Sequence, residues 1–358
     1  MVQLEDFIVK GQESNVCHLQ KAIYGLKQAA LQWNKLLHKS LVDFSFKRCT
    51  SDSDIYVKFI GKDIILIVIY IDNALFLGSN KSQVLSHKKK FMQKWESRDL
   101  GEAKEYLGMR TTRGYWKRSL ILDQTKYASK VVKCFNRENC KETSISLPTS
   151  YIPRPNEGKE NPSLHSHYQW VIGSLLYIML GTRPDIAYAV IKILQYSSNP
   201  SEEHLQKAIQ IVHYLSHSQF FCIKYSASGT ESGLIAYLDT DWIEDVETSC
   251  STTGYAMFLA NRIVSWLSRW QKYVRLSSTE AEYCGMTKCA KQIQWIWNLF
   301  EKIHIPLGHI PMCVDNQGAM FLASNPVQEG CTKHVHISQH YICEAVEHGE
   351  VELCLCYH

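Results

Sequence analysis

Two glutamates, Glu280 and Glu282, look interchangeable until helical phase is counted. Met286, Cys289, Ile293, Ile296, Phe300 and Ile303 recur at alternating steps of three and four, the apolar stripe of one long helix. Glu282 extends that stripe by one more step of four. It therefore points at a core, where a carboxylate is costly unless a partner or a metal neutralises it. Glu280 lies about 200° away on the helix wheel, three residues after Ser277, which is the spacing of a capping box. The expectation is that Glu280 caps the helix while Glu282 does chemistry.

That chemistry requires further acids. Asp239 and Asp241 stand at the end of one strand-like run and Asp315 closes another. Hard oxygen ligands from a helix and two strand ends suit Mg²⁺ or Mn²⁺. Such clusters run two-metal phosphodiester hydrolysis, in which one ion activates water and the other stabilises the leaving oxygen. Acids at strand ends also serve as turns and helix caps. Asp239 and Asp241 project to one strand face, and the pattern alone does not choose between them.

The elements that must position these residues follow from length and pattern. The 358 residues allow about two domains. A composition of 45% hydrophobic and 21% charged residues is that of a globular chain and excludes a disordered or collagen-like one. Pro, Ser, Asn and Gly concentrate over 144–162 and a softer break falls at 225–233, so three blocks are expected: 1–150, 151–230 and 231–358. In the first, 21–45 reads as a helix, and the apolar run 64–71 and residues 74–77 read as strands joined at Asp72-Asn73. The small middle block reads as helical, over 168–180 and 184–197, with Arg183 and Asp185 as a local ion pair and cap. The third has strands near 234–238 and 312–314, a hairpin through 255–266 and helices over 278–303, to about 324, and 336–348. A last strand alternates through 351–357.

The longest apolar run is far short of the ~20 residues that span a bilayer, and no secretory signal is readable, so an intracellular chain is expected, cytoplasmic or nuclear. Thirteen scattered cysteines fit reduced, packed thiols. The net charge of +4 leans weakly towards polyanions, and the basic run 81–98 reads as a solvated helix face or a phosphate contact. Cys331, His334, His336, His340 and Cys343 match no standard zinc spacing. Trp295, Trp297 and Phe300 read as core of the long helix rather than a stacking platform for bases.

Ordered motifs over nearly the whole chain resemble Ty1/copia-type retrotransposon Pol polyproteins. YLDTDW (237–242), STTGY (251–255), LSSTEAEY (276–283), VDNQGA (314–319) and TKHVHI (332–337) resemble the ribonuclease H domain. KAIYGLKQAALQWN (21–34), YIDN (70–73), LFLGSN (75–80) and DLGEAKEYLGM (99–109) resemble the reverse transcriptase, with TRPDIAYAV (182–190) in the link. The resemblance implies an α/β chain: an α+β palm remnant, a helical connection, and a ribonuclease H-like domain with a mixed sheet. It makes Asp239, Glu282 and Asp315 metal-binding catalytic carboxylates, preferring Asp239 to Asp241, and makes Asp72 the first aspartate of a polymerase hairpin. Implied partners are an RNA–DNA hybrid or other nucleic acid and other element-encoded Pol and Gag parts, with no membrane.

The pattern also breaks. Asn73 stands where the family has a second aspartate, and an amide oxygen brings no negative charge. The resemblance implies truncation at both ends, without an earlier palm aspartate and without the closing segment that supplies a fourth ribonuclease H aspartate. His336 replaces a usual acid. The expectation is an inactive polymerase with ribonuclease H weak or lost; the alternative is a dead, decayed or repurposed nucleic-acid-binding scaffold.

Overall fold

The computed structural model describes residues 3, 5–23, 25–148, 150–227, 233–241, 250–271, 274, 277–325 and 341–356. The chain divides into two compact units, residues 1–99 with 298–305 and residues 100–297 with 306–358.

The first unit carries helices α1 (Ala29–Asp43) and α2 (Lys81–Lys94). Its antiparallel sheet runs β1 (Lys47–Arg48), β2 (Ile55–Ile60), β3 (Asp63–Tyr70) and β4 (Asn73–Gly78), in that order. The apolar run forms β3, and strand alternation turns Ile65, Ile67 and Ile69 into a core shared with Leu37, Leu41 and Phe91. Each such side chain contributes roughly 1.5–3 kcal/mol by leaving water. Two expectations are corrected. The helix read from Lys21 begins only at Ala29, because Gly25 adopts φ +92°, outside helical space. The hairpin turn is Ile71-Asp72 rather than Asp72-Asn73, since Asn73 already pairs with Tyr70. Most of the basic run lies on α2, where Lys94 reaches Asp43 at 3.1 Å and Lys88 pairs with Asp99.

The second unit holds two sheets around a helical layer. One is antiparallel and runs β5 (Glu105–Tyr106), β6 (Met109–Gly114), β7 (Ser119–Asp123) and β8 (Ile223–Ser226), so it pairs segments a hundred residues apart. The layer comprises α3 (Thr125–Cys134), α4 (Pro162–Gly181), α5 (Ala187–Leu194) and α6 (Glu202–Ser218), with a core that includes Tyr168, Val171, Leu175, Val190 and Ile211. The α4 helix starts six residues before the expected 168, because Asn161 caps it and Pro162 fits the first turn. The expected helix over 184–197 is a short 3₁₀ turn, Pro184–Ile186, followed by α5. Arg183 and Asp185 do form the ion pair, at 2.6 Å, and the buried guanidinium also donates to the Ser218 carbonyl at 2.8 Å.

The other sheet is mixed: β9 (Leu234–Asp241), β10 (Thr252–Leu259), β11 (Arg262–Trp270), β12 (Ile310–Val314) and β13 (Val351–Leu355), in the order β11-β10-β9-β12-β13. β9, β10 and β11 are antiparallel neighbours, whereas β12 runs parallel to β9 and β13. Helix α7 (Ser278–Lys302) matches the expected span, and α8 (Gln317–Ser324) follows β12. Residues 341–347 are helical; the rest of the helix expected over 336–348 and most of the Cys/His cluster lie outside the described residues. The α/β class with a mixed sheet is the one expected. No helix among the described residues is long and apolar enough to cross a membrane.

Candidate metal centre

Topology brings the acids together. Because β9 and β12 are parallel, their C-terminal ends lie on one edge of the sheet, and the register pairs Cys313 with Tyr237. Two residues further along each strand stand Asp315 and Asp239, on the same face by strand alternation. Helix α7 supplies the third group. Glu282, Met286, Cys289, Ile293 and Ile296 are all buried, so the helical stripe runs as the spacing indicates and delivers a carboxylate at its head. One oxygen each of Asp239, Glu282 and Asp315 lie within 4.8 Å of one another. Asp241 shares the exposed face of β9 with Asp239 but is not part of this group.

Glu282 is only 3% exposed. The Thr240 amide donates to its Oε1 at 2.8 Å, while Oε2 is buried without a hydrogen-bond partner. Burial first, then the neighbouring Asp315, pushes its carboxyl up to about 8; the Thr240 amide opposes this, and Asp239 and Asp241 add to it. An acid with one oxygen anchored and the other unsatisfied, facing two carboxylates, is the arrangement a hard divalent cation resolves. At Glu280 the backbone amide donates to Ser277 Oγ at 3.1 Å, so Ser277 caps α7.

Three residues that position the site escaped the sequence reading. Gly285, one turn after Glu282, lets α7 approach β9 so closely that a Cβ there would lie 2.6 Å from Thr240 Oγ1. An isolated glycine inside a strong helical pattern was the available signal. Buried Gln271 donates to Thr253 Oγ1 at 2.9 Å and to the Ala281 carbonyl at 3.0 Å, tying β10 to the first turn of α7. Asn316 caps α8 by accepting from the Ala319 amide at 3.0 Å, which fixes the backbone next to Asp315.

Asp72 is placed differently. It is exposed at the tip of the β3–β4 hairpin, and Asn73 Nδ2 donates to its Oδ1 at 3.4 Å. Ile71 beside it takes φ +55°, a costly conformation for a β-branched residue, and its carbonyl accepts from Trp33 Nε1 at 2.7 Å. Asp72 joins no group of three metal-ligating side chains among the described residues. Of the aromatic run expected in the core, Ile296 between the two tryptophans is buried whereas Trp295 is exposed.

Residues 1–149 match the family model described as reverse transcriptase (RNA-dependent DNA polymerase). The chain is 32% identical over 354 residues to the retrovirus-related Pol polyprotein from transposon TNT 1-94 of Nicotiana tabacum, covering 97% of this chain and 26% of that protein. It is 33% identical over 362 residues to the Pol polyprotein from transposon RE1 of Arabidopsis thaliana, covering 99% of this chain and 24% of the relative. The chain thus spans about a quarter of the length of these relatives. Among solved structures, the foamy viral protease-reverse transcriptase in complex with dsDNA aligns at a TM-score of 0.45 with 13% identity, over 94% of this chain and 60% of that one. By sequence, the chain is similar over nearly its whole length to Ty1/copia-type retrotransposon Pol polyproteins.

Proposed function

We propose that this chain is a metal-dependent phosphodiester hydrolase of the ribonuclease H type, which cuts RNA–DNA hybrid slowly through Asp239, Glu282 and Asp315 and does not synthesise DNA. The observation that carries the reading is the convergence of three carboxylates from two parallel strands and a helix within 4.8 Å, with Glu282 Oε2 buried and unsatisfied. The donor set fits Mg²⁺ or Mn²⁺, being all oxygen and formally trianionic. When bound, such an ion lowers the pKa of water and stabilises charge on the leaving oxygen.

The chain's own residues set the conditions. Thr240 holds Glu282 by one oxygen and leaves the other for ligation, and the exposed Asp239 and Asp315 keep the open side of the site accessible to a phosphodiester backbone. Glu282 must give up its proton to ligate, so a carboxyl raised to about 8 makes ion affinity increase with pH across the neutral range. The polymerase reading fails on charge: Asp72 is followed by Asn73, whose amide coordinates without neutralising a cation.

A catalytically dead nucleic-acid scaffold is the second reading, favoured by the burial of Glu282 beside two other carboxylates, which raises the cost of the ionised form that a metal needs. Cleavage of a labelled RNA–DNA hybrid by the purified chain in Mg²⁺ or Mn²⁺ separates the two. Product that disappears in Asp239→Asn and in Glu282→Gln supports hydrolysis; a folded protein that binds hybrid without cleaving it, in either metal, supports the scaffold.

A further inference from the structure

The hairpin joining β6 and β7 ends in Arg113-Gly114-Tyr115-Trp116-Lys117-Arg118. Turns favour Gly, Asn, Asp and Ser, yet this tip presents two aromatic rings among three cations. Trp116 is fully exposed, at 101%, and Tyr115 is 68% exposed. A tryptophan held in water forgoes the largest apolar burial available to any side chain, which marks a contact surface rather than a fold requirement.

The tip is also held by hydrogen bonds. Gly114 pairs with Ser119, the Arg118 amide donates to the Tyr115 carbonyl at 3.2 Å, and the Ala227 amide beyond β8 donates to the Arg118 carbonyl at 3.1 Å. The Tyr115 hydroxyl donates to Glu102 at 2.5 Å, fixing that ring and engaging that acid. None of Arg113, Lys117 and Arg118 forms an ion pair among the described residues. A preformed tip loses little entropy on binding.

We propose that this tip is a nucleic-acid contact, in which Trp116 stacks on an unpaired base while Arg113, Lys117 and Arg118 hold flanking phosphates. The proposal rests on the nucleic-acid reading above and names a contact outside the carboxylate centre. The charge decides the occupant: an indole beside three cations suits a polyanion with exposed π-faces, which is single-stranded nucleic acid or the unpaired overhang of a hybrid.

The test is fluorescence anisotropy with a labelled single-stranded dodecamer, a hybrid with an overhang and a blunt hybrid, at several salt concentrations. Trp116→Ala should weaken single-strand and overhang binding on the order of 5- to 150-fold, with Trp116→Phe restoring much of it. Arg113→Ala/Lys117→Ala/Arg118→Ala should cut the slope of log affinity against log salt by roughly 2. Because Trp116 packs against nothing, its variants keep the fold, as circular dichroism can verify. Wild-type binding that Trp116→Ala leaves unchanged overturns the hairpin contact alone, whereas wild type binding no oligonucleotide overturns the nucleic-acid reading with it. Retention on phosphatidylserine vesicles that Trp116→Ala abolishes, with oligonucleotide affinity unchanged, assigns the tip to a membrane surface and also overturns the proposal.

Discussion

Asp72 and Glu282 are both carboxylates on well-formed elements, one at the tip of a hairpin and the other at the head of a long helix. At the hairpin, Asp72 is exposed and the next residue is an amide that donates to it, so no second carboxylate concentrates charge there. At the mixed sheet, parallel pairing aligns the ends of β9 and β12, and α7 drives a third acid between them out of water. Strain accumulates at the first site, on Ile71, whereas electrostatic tension accumulates at the second, on Glu282. The carboxylate cluster is made by topology that concentrates charge more than by the presence of acids at turns.

The largest effect expected from this contrast is on hydrolysis. Glu282→Gln, Asp239→Asn and Asp315→Asn should each lower hybrid cleavage on the order of 100-fold or more, measured as initial rates at saturating Mg²⁺. Undiminished cleavage in any of the three would remove that residue from the centre.

Next in size is a packing variant. Gly285→Ala places a methyl 2.6 Å from Thr240 Oγ1 and 3.2 Å from Leu238 Cδ1. Overpacking of this kind costs about 1–3 kcal/mol. It should lower the thermal midpoint and weaken Mn²⁺ binding together, since α7 carries Glu282. A midpoint that falls while Mn²⁺ affinity stays intact would uncouple the helix position from the site.

A pH profile sharpens the electrostatic half of the comparison. Glu282 holds its proton up to about 8 in the fold, against 4.5 in its ordinary state. The native state thus binds more protons than the unfolded one between these values. Metal-free protein should have the full benefit below about pH 4.5 and lose it as pH rises through about 8. Thermal midpoints of Glu282→Gln should show a flatter decline, and added Mg²⁺ should offset the decline in wild type only. Parallel slopes in both proteins would locate the proton elsewhere.

The smallest effect is expected at the hairpin. Asp72→Asn removes a hydrated charge and should change hybrid cleavage less than twofold and stability by within about 0.5 kcal/mol. A large loss of cleavage would mean that the two sites are coupled.

Glu282 was legible because helical phase is a local property, written in Met286, Cys289 and Ile293. The strand character of 64–71 was legible for the same reason. Asp239 against Asp241 was not, since both share a face and only the register with β12 separates them. The sheet joining β7 to β8 was also hidden, because no local pattern tells Leu122 that it will face Ile223. Helix α6 hid its start behind an unusual capping box, in which His204 Nδ1 accepts from the Ser201 amide at 3.0 Å where glutamate or glutamine is customary. Gly285 and Gln271 act by close approach and by bridging, and both depend on partners far along the chain.

The most direct test of the carboxylate centre is Mn²⁺ binding followed by electron paramagnetic resonance at pH 7 to 9. Wild type should bind with affinity that rises with pH, Glu282→Gln and Asp239→Asn should lose that binding, and Asp72→Asn should retain it. Equal binding by wild type and Glu282→Gln, or loss of binding in Asp72→Asn alone, would contradict a metal centre at Asp239, Glu282 and Asp315.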